Sequence, residues 1–157
     1  MTSMSAWQRV RTYLHLLIVG VRRRMVIGAR LVLLDGDKVL LLLHTYMPGW
    51  HFPGGGVEPG ETAGQCAARE GLEETGFRAD GPLQLLGFYL KANEATNRDH
   101  VAVYVSRGCS KDHAFRPNGE IAEIGWFPLA GLPAEVEPGT ARRVAEIVSG
   151  SAPASRW

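Results

Sequence analysis

The chain has 157 residues, enough for one domain with its own core and too few for two large ones. Apolar residues make up 45% and charged residues 21%, which excludes a disordered chain. A net charge of +1 excludes a nonspecific nucleic-acid binder, which needs a large basic excess, so no nucleic-acid partner is expected.

In chain order, residues 5–21 read as a helix. Val10, Leu14, Leu17 and Val21 recur at helical spacing and Ser5 is placed to cap the start. Arg9, Arg11 and Arg22 to Arg24 flank it and make it basic. The preferred reading is a helix packed on the domain or on a second subunit, which leaves room for a homodimer. The weaker one is an amphipathic helix on a membrane surface, so membrane contact is not expected. Its apolar stretch, Tyr13 to Val21, is too short to span a bilayer, and no small-residue cleavage site follows it. The expected organisation is an arm over residues 1–25, a domain over 26–150, and a tail over 151–157 that frays from Gly150 onward.

Gly28 to Leu34 and Val39 to Leu43 are aliphatic runs flanking Asp35-Gly36-Asp37-Lys38, a hairpin signal. An aromatic loop, His44 to Pro53, leads to Gly54-Gly55-Gly56. A helix is predicted from Thr62, where Gln65 completes a capping box, to Gly76, a C-terminal cap. Leu83 to Lys91, Val101 to Arg107 and Ile121 to Phe127 read as strands. In the second, Val101, Val103 and Val105 alternate with Ala102, Tyr104 and Ser106, which predicts one buried face. Ala141 to Val148 reads as a closing helix. Cys66 and Cys109 form no C-x-x-C pair and read as small hydrophobes. The absence of a disulfide or zinc pattern fits the cytoplasm.

The chemistry concentrates on the Thr62–Thr75 helix. Five of the sixteen acids fall between Glu58 and Glu74, and Glu70, Glu73 and Glu74 share one helical face. Like charges at that spacing repel, and two sit in the last turn, where the helix dipole disfavours them. A divalent cation removes both penalties, and Mg²⁺ takes carboxylate oxygen together with phosphate. Gly64, Ala67, Ala68, Gly71 and Thr75 are small and allow close packing of the helix on a sheet. The three glycines let backbone approach a ligand.

From Gly55 to Phe77 the chain fits G-x5-E-x7-R-E-U-x-E-E-x-G-U, where U is bulky and apolar, through Gly55, Glu61, Arg69, Glu70, Glu73, Glu74, Gly76 and Phe77. This resembles the Nudix box; Gly71 departs from it, standing at a U position. Trp50 to Gly56 and Glu120 to Leu129 resemble the approach to that box and the late strand of the family. The resemblance covers roughly residues 26–148. It implies an α/β fold, an α/β/α sandwich with a mixed sheet and a catalytic helix after the glycine loop. It also implies a Mg²⁺-dependent hydrolase, with Mn²⁺ an alternative ion, that cleaves a diphosphate linkage in a nucleoside diphosphate joined to another group.

On that resemblance Glu70, Glu74 and the Gly54 carbonyl are the metal ligands, and Glu73 is a further ligand or orients water. Glu73 and Glu120 are both candidates for the general base. Arg69 fixes carboxylates, with Glu61 as its candidate partner. Tyr46, Trp50, His51 and Tyr89 are the candidate substrate contacts, and His44 or His51 can meet phosphate or ribose. A proline about fifteen residues past the box, the family's mark of ADP-ribose substrates, is absent; Ala92 stands there. The marker for dinucleoside polyphosphates is absent too. The rival readings are a silent nucleotide-sensing module and an acidic helix around a structural cation. Retention of every box carboxylate disfavours the first, and the glycine run disfavours the second.

Overall fold

The computed structural model describes residues 25–91 and 99–157. The predicted N-terminal helix, Arg22 to Arg24 and most of the loop after Lys91 lie outside the described residues. The elements are β1 (Val26–Asp35), β2 (Lys38–His44), β3 (Trp50–His51), β4 (Gly54–Gly56), α1 (Ala63–Thr75), β5 (Phe77–Ala79), β6 (Gln84–Lys91), β7 (Asp99–Ser106), β8 (Cys109–Lys111), β9 (Ile121–Pro128) and α2 (Pro138–Ser149).

The predicted hairpin forms. Asp35 pairs with Lys38 and Leu34 with Val39, and Gly36 turns the chain at φ 59°. Beyond those pairs the two strands part company. β1 runs on beside β7 in parallel, from Val26 opposite Asp99 to Leu33 opposite Ser106. β2 runs on antiparallel to β9. Into the opening between them the chain inserts a wedge: β3 pairs with β2, and β4 pairs with β1. β6 extends the sheet beyond β7. The sheet is mixed, as expected, because its one long parallel pairing sits among antiparallel neighbours.

Both faces of this sheet are covered. Ala29, Leu31 and Leu33 join Leu40, Cys66 and Ala67 in one core, under α1. Val32 and Leu34 join Val39, Val101, Val103, Val105, Tyr89 and Val144 in the other, under α2. Burial on both sides explains why β1 and β2 are nearly unbroken aliphatic runs. It also corrects the single buried face expected for β7. Ala102 and Ser106 are buried as well, because α1 lies over that side and a methyl at Gly64 would touch the Tyr104 ring at 3.6 Å.

Helix α1 has the boundaries its caps predict. Thr62 Oγ1 accepts from Gln65 N–H, the Gln65 side chain returns to the Thr62 backbone, and Gly76 closes the helix at φ 74°. Helix α2 begins at Pro138, earlier than predicted. Glu137 is its cap, accepting the Thr140 N–H at 2.6 Å, and Pro138 supplies the preset φ of a first turn. Strands β3, β4, β5 and β8 have two or three residues each, too few to show a period.

The tail does not fray. Leu90 N–H donates to the Ser155 carbonyl and Trp157 N–H to the Leu90 carbonyl, each at 3.0 Å. The Trp157 indole N–H reaches Glu137 at 3.3 Å. The buried Arg143 guanidinium stacks 4.1 Å from the Tyr89 centroid and 5.6 Å from the Trp157 ring, and donates to the Arg156 carbonyl. An aromatic anchor and a buried cation hold what composition alone reads as loose.

Candidate active site

The wedge and the second half of α1 meet at a cavity of ≈ 370 Å³ where β1 and β2 diverge. That volume lies within the usual range for small-molecule sites. Its floor is Gly54 to Gly56 with Glu70 and Glu74; Arg30, His44, Tyr46, Lys91 and Glu120 stand around it.

The glycines are there because carboxylates and backbone occupy the space of their side chains. Gly54 adopts φ 149°, and a methyl there would run into the Ala29 carbonyl. A methyl on Gly55 would collide with the Glu70 carboxylate. On the helix, a methyl on Gly71 would strike Leu31 Cδ2. That contact explains the departure from the box pattern: α1 sits so close to β1 that Leu31 fills the place of the usual bulky residue.

Glu74 Oε2 accepts the Gly54 N–H at 2.7 Å, tying the last turn of α1 to the glycine loop. Burial, aided by the neighbouring Glu70, pushes the Glu74 carboxyl up to about 7, against the opposing pull of that hydrogen bond. Arg69 grips the other acids. Its Nε and Nη2 hold Glu61 at 2.8 and 3.1 Å, and its Nη1 reaches Glu70 at 2.9 Å and Glu73 at 3.3 Å. Glu61 is held down to about 2, chiefly by its hydrogen bonds from Arg69. Arg69 therefore relieves part of the repulsion that the sequence argument assigns to a cation. Among the described residues the Glu74 carboxyl receives no such ion pair.

Not every predicted site residue reaches the cavity. Glu70, Glu74, Gly54, Glu120 and Tyr46 line it. Glu73 does not; its side chain is 60% exposed and turned to Arg69. Trp50 packs edge-on against Phe127, ring centroids 4.7 Å apart, and belongs to the core under α2. Tyr89 is fully buried, and its hydroxyl donates to Glu146 at 3.0 Å. His51 packs 5.5 Å from the His44 ring, with Nε2 3.0 Å from the Pro48 carbonyl, away from the cavity lining. Aromatic chemistry alone does not tell a stacking platform from a core residue.

Two cations of the cavity escaped the sequence reading. Arg30 interrupts an otherwise aliphatic β1, and burial holds its pKa below the usual arginine value. Lys91 ends β6 and is lowered for the same reason, with Arg30 adding to it. A lone arginine inside an apolar strand is a signal that was available.

Among the described residues no three acidic, histidine or cysteine side chains converge into a ready cage. The Glu70–Glu74 pair nevertheless suits Mg²⁺, which binds through one or two carboxylates and completes its shell with water and phosphate. A buried carboxyl with a raised pKa beside a second carboxylate is a site short of positive charge.

Residues 24–147 match the family model described as the NUDIX domain. The chain belongs to the Nudix family. A relative from Bacillus subtilis (strain 168), named provisionally an 8-oxo-dGTP diphosphatase, is 29% identical over 121 residues, 77% of this chain and 78% of its own. The RNA pyrophosphohydrolase of Rhizobium meliloti (strain 1021) is 29% identical over 118 residues, 64% of this chain and 71% of its own. Other relatives are longer, and this Nudix chain spans 40% or less of them. A MutT NUDIX hydrolase from Burkholderia pseudomallei shares the fold, with a TM-score of 0.70 at 22% identity over 79% of this chain and 98% of that one. This chain is thus a Nudix hydrolase with its box helix intact. No helix among the described residues is long and apolar enough to cross a membrane.

Proposed function

We propose that this Nudix hydrolase cleaves a diphosphate linkage in a nucleoside diphosphate joined to a further group, with Glu70, Glu74 and the Gly54 carbonyl holding Mg²⁺ or Mn²⁺. The observation that carries the reading is the pressing of two carboxylates against the glycine loop at the cavity floor, one pushed up to about 7. A divalent ion bound there supplies charge neutralisation on phosphoryl oxygens and acidifies water.

The chain's own residues do the rest. Gly54 to Gly56 leave room for a phosphate beside Glu70 and Glu74. Arg30 and Lys91 face the same space with positive charge and offset the anion's burial. Glu120, on the cavity wall, takes the proton from attacking water; Glu73, engaged by Arg69 outside the cavity, is the less suited base. Arg69 is a positioning residue that holds Glu61 and Glu70 in place. The two free cysteines suit a reducing cytoplasm, since burial pushes the Cys66 thiol up to about 11 and keeps it unreactive.

Nucleoside triphosphates, dinucleotides and nucleotide sugars, each with Mg²⁺, form the test panel, read by release of phosphorylated product. Turnover of at least one compound is expected. Glu74→Gln should lower it about a thousandfold, the equivalent of ~4 kcal/mol of barrier. Thermal stabilisation by a nucleotide without any turnover would instead mark a sensor and overturn the proposal.

A further inference from the structure

Glu120 joins the cavity from a turn. It stands one residue before Ile121, where β9 begins, and lines the cavity opposite the glycine loop's carboxylates. Its charge reaches Glu74 and adds, after burial and Glu70, to what raises that carboxyl. Turn residues move more readily than strand residues unless their backbone is held. Here the backbone is held from both sides.

The end of β2 supplies the first hold. Its pairing with β9 slips there: Leu43 stands opposite Glu123, but His44 stands opposite Ile121. Irregularities of this kind bend a strand and re-aim side chains beside active sites. Just past the slip, the Thr45 N–H donates to the Glu120 carbonyl at 2.9 Å, and Thr45 Oγ1 donates to the Gly119 carbonyl at 2.7 Å. Asn118 supplies the second hold. Its Oδ1 accepts the N–H groups of Glu120 and Ile121, each at 2.8 Å, and its own N–H donates to the Ile121 carbonyl at 3.0 Å. From the Gly119 carbonyl to the Ile121 carbonyl, every backbone donor and acceptor therefore has a partner.

Thr45 and Asn118 are both exposed, and neither lines the cavity. They add nothing to a core and touch no ligand bound on the cavity floor. Exposed hydrogen bonds add little to stability, because water replaces a lost partner. What these bonds fix is position. A general base has to stand within hydrogen-bond reach of the water it deprotonates, and a displacement of about 1 Å costs about a hundredfold in rate.

Resting on the hydrolase reading, in which Glu120 takes the proton from attacking water, we infer that Thr45 and Asn118 are positioning residues that clamp the Glu120 peptide from two sides and so set the reach of its carboxylate. The clamp fastens the base to the stretch between His44 and Tyr46, which line the same cavity. Wall and base are thereby held as one piece.

The test uses the full chain, Mg²⁺ and a compound that it turns over. Thr45→Val keeps the shape and the backbone N–H but loses the hydroxyl, and Asn118→Leu keeps the size but loses the acceptor. Each should lower kcat about tenfold, or ~1.4 kcal/mol of barrier, while KM stays within about twofold. Thr45→Ser and Asn118→Asp keep the oxygen and should recover most of the loss. Beside Glu120→Gln, which removes the base, Thr45→Val should cost nothing further, because a clamp has no effect without the group it aims. Amide exchange at Glu120 and Ile121, followed by NMR, should quicken about tenfold in Asn118→Leu, and this is read without any turnover. The inference falls if kcat is unchanged, if KM rises in step with the loss, if the conservative variants restore nothing, if the loss persists beside Glu120→Gln, or if exchange stays as in the wild type. A failure of the underlying reading looks different: Glu120→Gln then works as well as the wild type, or the wild type turns over nothing. Either result removes the inference together with that reading. A large loss in Glu120→Gln with none in the clamp variants removes the inference alone.

Discussion

Helix α1 meets its face of the sheet through Cys66, Ala67 and Gly71, whereas α2 meets the opposite face through Arg143, Val144 and the indole of Trp157. The first contact is made of small side chains, so the helix backbone itself lies against β1, and the carboxylates beside that face inherit the position of that backbone. The second is made of a buried cation between two aromatic rings, ion-paired to Glu146 at 2.9 Å. Close backbone packing suits a helix that has to hold its side chains at a cavity in fixed positions. A buried ionic cluster suits one whose task is to hold the domain and its tail together.

This contrast can be broken from either side. The largest stability loss is expected on the α2 face. Arg143→Ala removes one partner of a buried pair, leaves Glu146 uncompensated, and should cost about 4 kcal/mol in urea unfolding. Retention of near wild-type stability would show that the cluster holds little. On the α1 face, Gly71→Leu restores the residue type the box pattern prefers, yet should cost about 3 kcal/mol, because Leu31 already fills that space. A neutral or stabilising outcome would show that α1 can move off the sheet, against the rigid placement argued above. If it moves without unfolding, activity should fall more than stability does.

The smallest effect has the opposite sign and comes from the site itself. Glu74 has a folded-state carboxyl pKa raised to about 7, above its ordinary value, so folding disfavours its charged form. The penalty is absent at low pH, where the group is protonated folded or unfolded, and it grows as pH rises from the ordinary carboxylate range through 7. In EDTA, Glu74→Gln should therefore raise stability by about 2 kcal/mol at alkaline pH and by nothing in acid. Equal stability of the two proteins across that range would remove the argument that this site lacks positive charge. Mg²⁺ with nucleotide should narrow the gap by stabilising the wild type alone.

The difference between the helices is also a difference in what a sequence displays. Thr62, Gln65 and Gly76 announce α1 by local chemistry, and its acids by spacing, so helix and cavity-facing carboxylates are legible together. Asp35-Gly36 announced the hairpin, but not that its strands separate beyond two pairs, and it is this separation that makes the cavity. Arg30 from within β1, His44 and Lys91 from the ends of β2 and β6, and Glu120 from the turn before β9 meet only because of it. No periodicity along the chain records such a meeting. Trp50 and Tyr89, candidate substrate contacts by residue type, have apolar bodies and polar tips, properties equally at home in a core. Trp157 was passed over for a related reason: six polar or small residues before it carry no repeat, and a single anchor leaves no pattern.

The docking of that last stretch has a consequence for how molecules of this protein meet one another. By exchanging backbone hydrogen bonds with Leu90, residues 155–157 occupy groups on the outer side of β6 that would otherwise template a strand from a neighbouring chain. Intermolecular strand addition at this margin first has to dislodge Trp157 from Glu137 and Arg143. The same indole that steadies α2 thereby helps to keep the Leu90 edge of β6 closed.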